Sequence, residues 1–121
     1  MFRKLFSKNR AQEKIFIMPF HVKALEKSIM PPDFGGAYVS CYTSGASYLE
    51  ATEKALEKLA NDGLHPEELL QPIHEMPISD WTAHINEQWR DHVGNLPTQT
   101  KFEKHMESGG VVYGPFGSYS P

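Results

Sequence analysis

Six histidines, one cysteine and a surplus of carboxylates are the residues of this chain best suited to chemistry. The histidines are His21, His65, His74, His84, His92 and His105. Two imidazoles serve one metal most readily when they stand four apart on a helix, and no pair here has that spacing. His84 and His92 fall two helical turns apart, about 12 Å along an axis. His74 and Glu75, on a strand, would point to opposite faces. No metal site is expected. Cys41 is a candidate nucleophile. It alternates with Val39 on one strand face, so a small buried thiol is the simpler reading, and no sequence neighbour would lower its pKa.

Other catalytic patterns are missing. There is no G-x-S-x-G elbow, and the Asp33-Phe34-Gly35 triplet lacks the rest of the kinase pattern. Gly109-Gly110 leads into a strand, whereas phosphate loops lead into a helix. The reading is therefore no catalytic residue and no cofactor.

Charge says more. The chain has 12 Lys+Arg against 15 Asp+Glu, a net −3 over 121 residues. Residues 1–14 hold five basic side chains (Arg3, Lys4, Lys8, Arg10, Lys14) against Glu13, a net +4. Residues 15–121 hold 7 basic and 14 acidic groups, a net −7. An acidic body repels phosphate backbones and attracts basic proteins, which excludes nucleic acid and favours a basic protein partner. Glu67, Glu68, Asp80, Glu87 and Asp91 are the expected partner-facing carboxylates. The stretch Ser108–Pro121 has no lysine, arginine, aspartate or glutamate but holds Tyr113, Phe116 and Tyr119. These rings either cover the sheet or act as anchors, with Tyr113 and Tyr119 the candidates.

The basic N-terminal segment places Phe2, Leu5 and Phe6 among its charges. Three large apolar residues are too few to hold a membrane, and no apolar run reaches the roughly 20 residues that span one. A secretory signal needs an apolar run of about 7–15 residues, which the basic residues interrupt. One cysteine makes no internal disulfide framework, so a reducing cytoplasm is expected.

Elements to position these residues can be read along the chain. Ile15–Val22 reads as a strand, with Pro19 confining it to an edge or a bulge. Lys23–Met30 shows a short helical pattern ending at Pro31-Pro32. Ala37–Thr43 alternates cleanly and reads as a strand. Ser47–Asp62 reads as a helix, with a Ser47/Glu50 capping box, a stripe of Tyr48, Thr52, Ala55, Leu56 and Leu59, and Gly63 as its stop. Thr52 is expected to bond back to the preceding turn, and Glu50 to pair with Lys54. Pro66-Glu67-Glu68 resembles a helical first turn. Leu69–Ile78 reads as an extended edge.

Asp80 is placed to cap a helix running to about Val93, along which Trp81, Ile85, Trp89 and Val93 form a core stripe. Thr100/Glu103 offers a further capping box before Gly109-Gly110, and Val111–Tyr113 a last strand. Gly114–Pro121 reads as irregular. A crossover from Ala37 to Ile78 would be right-handed if its strands are parallel.

The expected fold is a single α/β (α+β) sandwich over 15–121: a small mixed or mostly antiparallel sheet with helices on one face. The expected function is a non-catalytic protein-binding module, most concretely a bacterial immunity-type protein that neutralises a toxic enzyme through an acidic surface. Two alternatives stand beside it. One is a small enzyme or ligand-binding subunit with a His/Cys/Tyr site at an oligomer interface. The other is a homo-oligomeric structural subunit, such as a homodimer paired through strands or the aromatic tail.

Overall fold

The computed structural model describes residues 14–30 and 35–119. The basic segment up to Glu13, Pro31-Pro32, the first two residues of the Asp33-Phe34-Gly35 triplet, and Ser120-Pro121 lie outside the described residues. In chain order the elements are β1 (Lys14–Ala24), β2 (Gly36–Gly45), α1 (Tyr48–Asn61), β3 (Leu64–Leu69), β4 (His74–Pro77), α2 (Trp81–Gln88), α3 (Gln99–Glu107), β5 (Val111–Tyr113) and β6 (Gly117–Tyr119). The six strands form one sheet in which every pairing is antiparallel. This is the expected α+β class.

β1 and β2 are the sheet's long central pair. β3 and β4 lie end to end along the outer side of β1, and β5 and β6 along the outer side of β2. β1 is therefore a central strand, not the edge that Pro19 allowed; the other expectation, an irregular ladder, is met in its pairing with β3, whose register shifts between His21 and Val22. The proline is tolerated because its carbonyl accepts from the Leu70 amide at 2.8 Å, in the gap between β3 and β4. A residue's N–H and C=O leave a strand on the same side, so the missing donor faces that gap and no ladder bond to β2 is lost.

The two faces of the sheet carry separate cores. Phe16, Met18, Phe20 and Val22 of β1 join Ala37, Val39 and Cys41 of β2 beneath Ala51, Ala55 and Leu59 of α1. Ile15, Tyr42 and Val112 face the other way, onto Trp81 and Ile85 of α2 and Phe102 and Met106 of α3. The helices thus divide between both faces.

Several local expectations are met. Ser47 caps α1, its hydroxyl accepting from the Glu50 amide, while Glu50 accepts from the Ala46 amide. Thr52 donates to the Tyr48 carbonyl at 2.8 Å, Glu50 pairs with Lys54, and Gly63 takes φ +74° just past the C-cap. Trp81 and Ile85 are buried, with Trp89 and Val93 packed beside them.

Others are corrected. Lys23 and Ala24 continue β1 by pairing with His65 and Leu64, so no helix starts there, and Leu25 and Ile29 are exposed. Pro66, Glu67 and Glu68 belong to β3, where pairing with β1 outweighs the helix-start signal. Tyr48 and Leu56 are partly exposed, and Ala51 takes the place expected of them against the sheet. α2 stops at Gln88 and a 3₁₀ turn (Arg90–Asn95) follows. Asp80 makes no side-chain cap; Gln99 Oε1 accepts from the Thr82 amide instead. Thr98, not Thr100, caps α3. The tail contains β6, which pairs with Gly36–Tyr38. Among the described residues there is no parallel crossover, because β3 returns antiparallel to β1.

Candidate functional site

α2 and α3 cover only one end of their sheet face. Over the other end the outward residues of β1 and β2 are Pro19, His21, Tyr38 and Ser40, with no helix of the described residues above them. Register sets a row of side chains there. His21 is opposite Tyr38 on β2 and opposite Glu68 on β3. Directly opposed residues in an antiparallel pair share a face, so all three project from the same side. Glu67 falls at the bulge beside Glu68, where the register shifts between His21 and Val22.

β6 completes the row. The Tyr119 hydroxyl is hydrogen-bonded to His21 Nε2, and the Tyr119 ring lies 6.1 Å from that of Tyr38. His21 and Tyr38 are stacked at 4.8 Å. Gly36 makes the space: a Cβ there would come within 2.6 Å of the Tyr119 hydroxyl. The result is a band of three rings across three strands, with a carboxylate pair at its β3 end. Tyr38 remains 51% exposed and Tyr119 38%, large values for rings already packed on one another.

Where the open half meets α2, the sheet face deepens into a pocket of about 510 Å³. Ile17, Pro19, Ser40 and Tyr42 form its floor. Gln71, Pro72 and His74, from β4 and the β3–β4 connection, stand on one side, and His84, Gln88 and Trp89 on the other. The Gln71–Pro72 peptide bond is cis. Trp89 Nε1 donates to the Tyr42 hydroxyl at 2.8 Å, and that hydroxyl lies 2.7 Å from His84 Nε2. An indole nitrogen can only donate, so the Tyr42 oxygen accepts from Trp89, while between Tyr42 and His84 the donor is set by the His84 tautomer.

Burial keeps both groups uncharged. It pushes the Tyr42 phenol up to about 12, against the opposing pull of the Trp89 bond. It also holds the His84 imidazole below its ordinary value, helped by His74 and opposed by Glu87. A buried phenol held protonated is no general base. Cys41 is equally unsuited to attack, its thiol raised to about 12 by burial under α1.

The sequence-predicted residues are dispersed. Glu67 and Glu68 border the ring band. Glu87 is exposed on α2 beside His84, and Asp91 is exposed on the following turn. Asp80 is exposed near the opposite end of β1, just past Pro77, the partner of Lys14. Tyr119 joins the band. Tyr113 does not: it pairs with Cys41, packs on the α1 side and donates to Asp62 Oδ2 at 2.6 Å. Lys58 bridges to the same carboxylate at 3.1 Å. Burial first, and then Asp62, hold the Tyr113 phenol far above its usual value.

His21 and Tyr38 were not legible as a pair, because 17 positions separate them and only the β1–β2 register joins them. The one available signal was that Tyr38 alternates with the apolar face of β2. Among the described residues no group of three or more His, Cys, Asp or Glu could hold a metal ion. Among the described residues no helix is long and apolar enough to cross a membrane. Comparison of the chain with protein-family models, with curated proteins and with solved structures gave no match.

Proposed function

We propose that the protein is a non-catalytic binding module that receives a basic protein partner on the open half of its second sheet face. The band of His21, Tyr38 and Tyr119, ending at Glu68 and Glu67, carries this reading. Exposed tyrosines tethered to neighbours lose little entropy on binding, which suits them as anchors. A lysine or arginine laid along the row meets ring faces and edges first and a carboxylate pair last. The net −7 of residues 15–121 would draw such a partner in from a distance. In its most concrete form the protein is a bacterial immunity-type antitoxin, acting in the cytoplasm by capping the basic active site of a toxic enzyme.

The test is affinity capture from the native source with the full chain, run beside Tyr38→Ala and Glu68→Lys. A basic protein held in stoichiometric amount by the wild type, lost from both variants and weakened by salt, is the expected result. Equal retention by all three proteins, or no partner at low and moderate salt, overturns the proposal.

A further inference from the structure

The pocket beside α2 has a different character from the ring band. Its lining holds no lysine or arginine and no unpaired carboxylate. Glu75, the only carboxylate in it, pairs with Lys14 at 2.9 Å, and His84 is held neutral within the Trp89–Tyr42–His84 chain. Burying an unpaired charge in such a place would be costly, so its occupant is uncharged. The polar groups left over are both donors and acceptors: the Gln71 and Gln88 carboxamides, the Ser40 hydroxyl, His74, and His84 Nδ1.

Their arrangement constrains shape as well. The floor is a patch of sheet, apolar at Ile17 and Pro19, while polar groups stand on two opposite sides. A ligand that lies on such a floor presents an apolar face downward and hydrogen-bonding atoms along its edge. The volume of about 510 Å³ falls in the range of small-molecule sites.

We infer that this pocket binds a small, uncharged planar heterocycle with donors and acceptors on its edge, the chemistry of a free nucleobase. Glu87, exposed on α2 beside His84, disfavours the phosphate of a nucleotide. The inference does not rest on the partner-binding reading, since its residues other than Pro19 and Ser40 lie outside the open row.

The test is titration of the full ¹⁵N-labelled chain with adenine, hypoxanthine, cytosine and uracil, followed at the Trp89 indole N–H. That signal is assigned with Trp89→Phe. At least one base is expected to shift it saturably, with a dissociation constant of about 1 mM or tighter. Ser40→Leu, which fills the floor, should abolish the shift. Gln88→Ala, an exposed change that leaves the core alone, should weaken binding about fivefold through one lost hydrogen bond. Benzoate and benzamidinium, flat but charged, should bind at least about tenfold more weakly. A Trp89 signal unmoved by all four bases, equal binding by Gln88→Ala, or equal binding of the charged rings overturns the inference.

Discussion

The Tyr42 hydroxyl lies 2.7 Å from His84 Nε2, and this contact ties the central strand β2 to the helix that half covers it. The same hydroxyl accepts from Trp89 Nε1 at 2.8 Å, so one oxygen fixes both α2 and the residue that ends it. The Tyr42 ring meanwhile packs edge-on against Trp81 at 5.1 Å. Packing and polar bonding at Tyr42 can therefore be separated by mutation.

Tyr42→Phe keeps the ring and removes the oxygen, leaving the Trp89 N–H without its partner. The expected cost is about 1–3 kcal/mol, the usual range for stranding a largely buried donor. Urea denaturation followed by tryptophan fluorescence reads it. A variant as stable as the wild type would show that the hydroxyl does not hold α2 in place.

The same contact makes stability depend on pH. The folded His84 imidazole has a pKa below its ordinary 6.5, chiefly because it is buried. Between the two values the unfolded chain binds more protons, so this contribution is complete above pH 6.5 and shrinks as pH falls below it. His84→Gln keeps an acceptor but cannot titrate. Between about pH 7.5 and about pH 5 the wild-type urea midpoint should fall further than that of His84→Gln. Parallel falls would exclude His84 as the source.

Much of the fold was legible because local signals agreed with tertiary need. The alternation of Ala37, Val39 and Cys41 marked β2, and the Ser47/Glu50 box with Gly63 marked both ends of α1. Reading failed where pairing partners decided the outcome. Pro66 and its two glutamates carry a helix-start pattern, yet β1 offers them a ladder. Pro19 signalled an edge or a bulge, and only the end-to-end placement of β3 and β4 lets a proline sit mid-sheet. The candidate sites were least legible. His21 and Tyr119 are 98 positions apart, and Tyr42 is 47 from Trp89. Sequence spacing says nothing about contacts made by register across a sheet.

Cys41 should be inert in the folded protein. Burial raises its thiol from 9.0 to about 12, so the nucleophilic thiolate is scarce and shielded. A disulfide-exchange reagent should leave the native chain unmodified at neutral pH and label it fully in denaturant. Raising pH above 9.0 should also lower stability, because the unfolded thiol ionises first. Fast labelling of the native chain would show the thiol to be accessible.

Trp81 and Phe102 join α2 to α3 by stacking at 4.0 Å with their planes 1° apart, and neither ring reaches solvent. Phe102→Ala would leave a cavity under Trp81 and should cost about 3–5 kcal/mol. Phe102→Leu, closer in volume, should cost less. If both substitutions leave the urea midpoint unchanged, the helices are held to the sheet by other contacts.

Gly36 sets the geometry of the ring band without contributing a side chain. A Cβ there would come within 2.5 Å of the Val22 carbonyl oxygen and 2.6 Å of the Tyr119 hydroxyl. The carbonyl is backbone of β1 and yields little, so Gly36→Ala must shift β2 against β1 and displace the Tyr119 ring. Overpacking of this kind typically costs about 1–3 kcal/mol. The His21–Tyr119 hydrogen bond should break with it, visible as a change in the His21 ring resonances. Tyr119→Phe provides the contrast, since it removes the hydroxyl but leaves the ring over Gly36. If the ring is what a partner contacts, Gly36→Ala should weaken capture of the basic protein far more than Tyr119→Phe does. Equal capture by the two variants would mean that the placement of the Tyr119 ring plays no part in recognition.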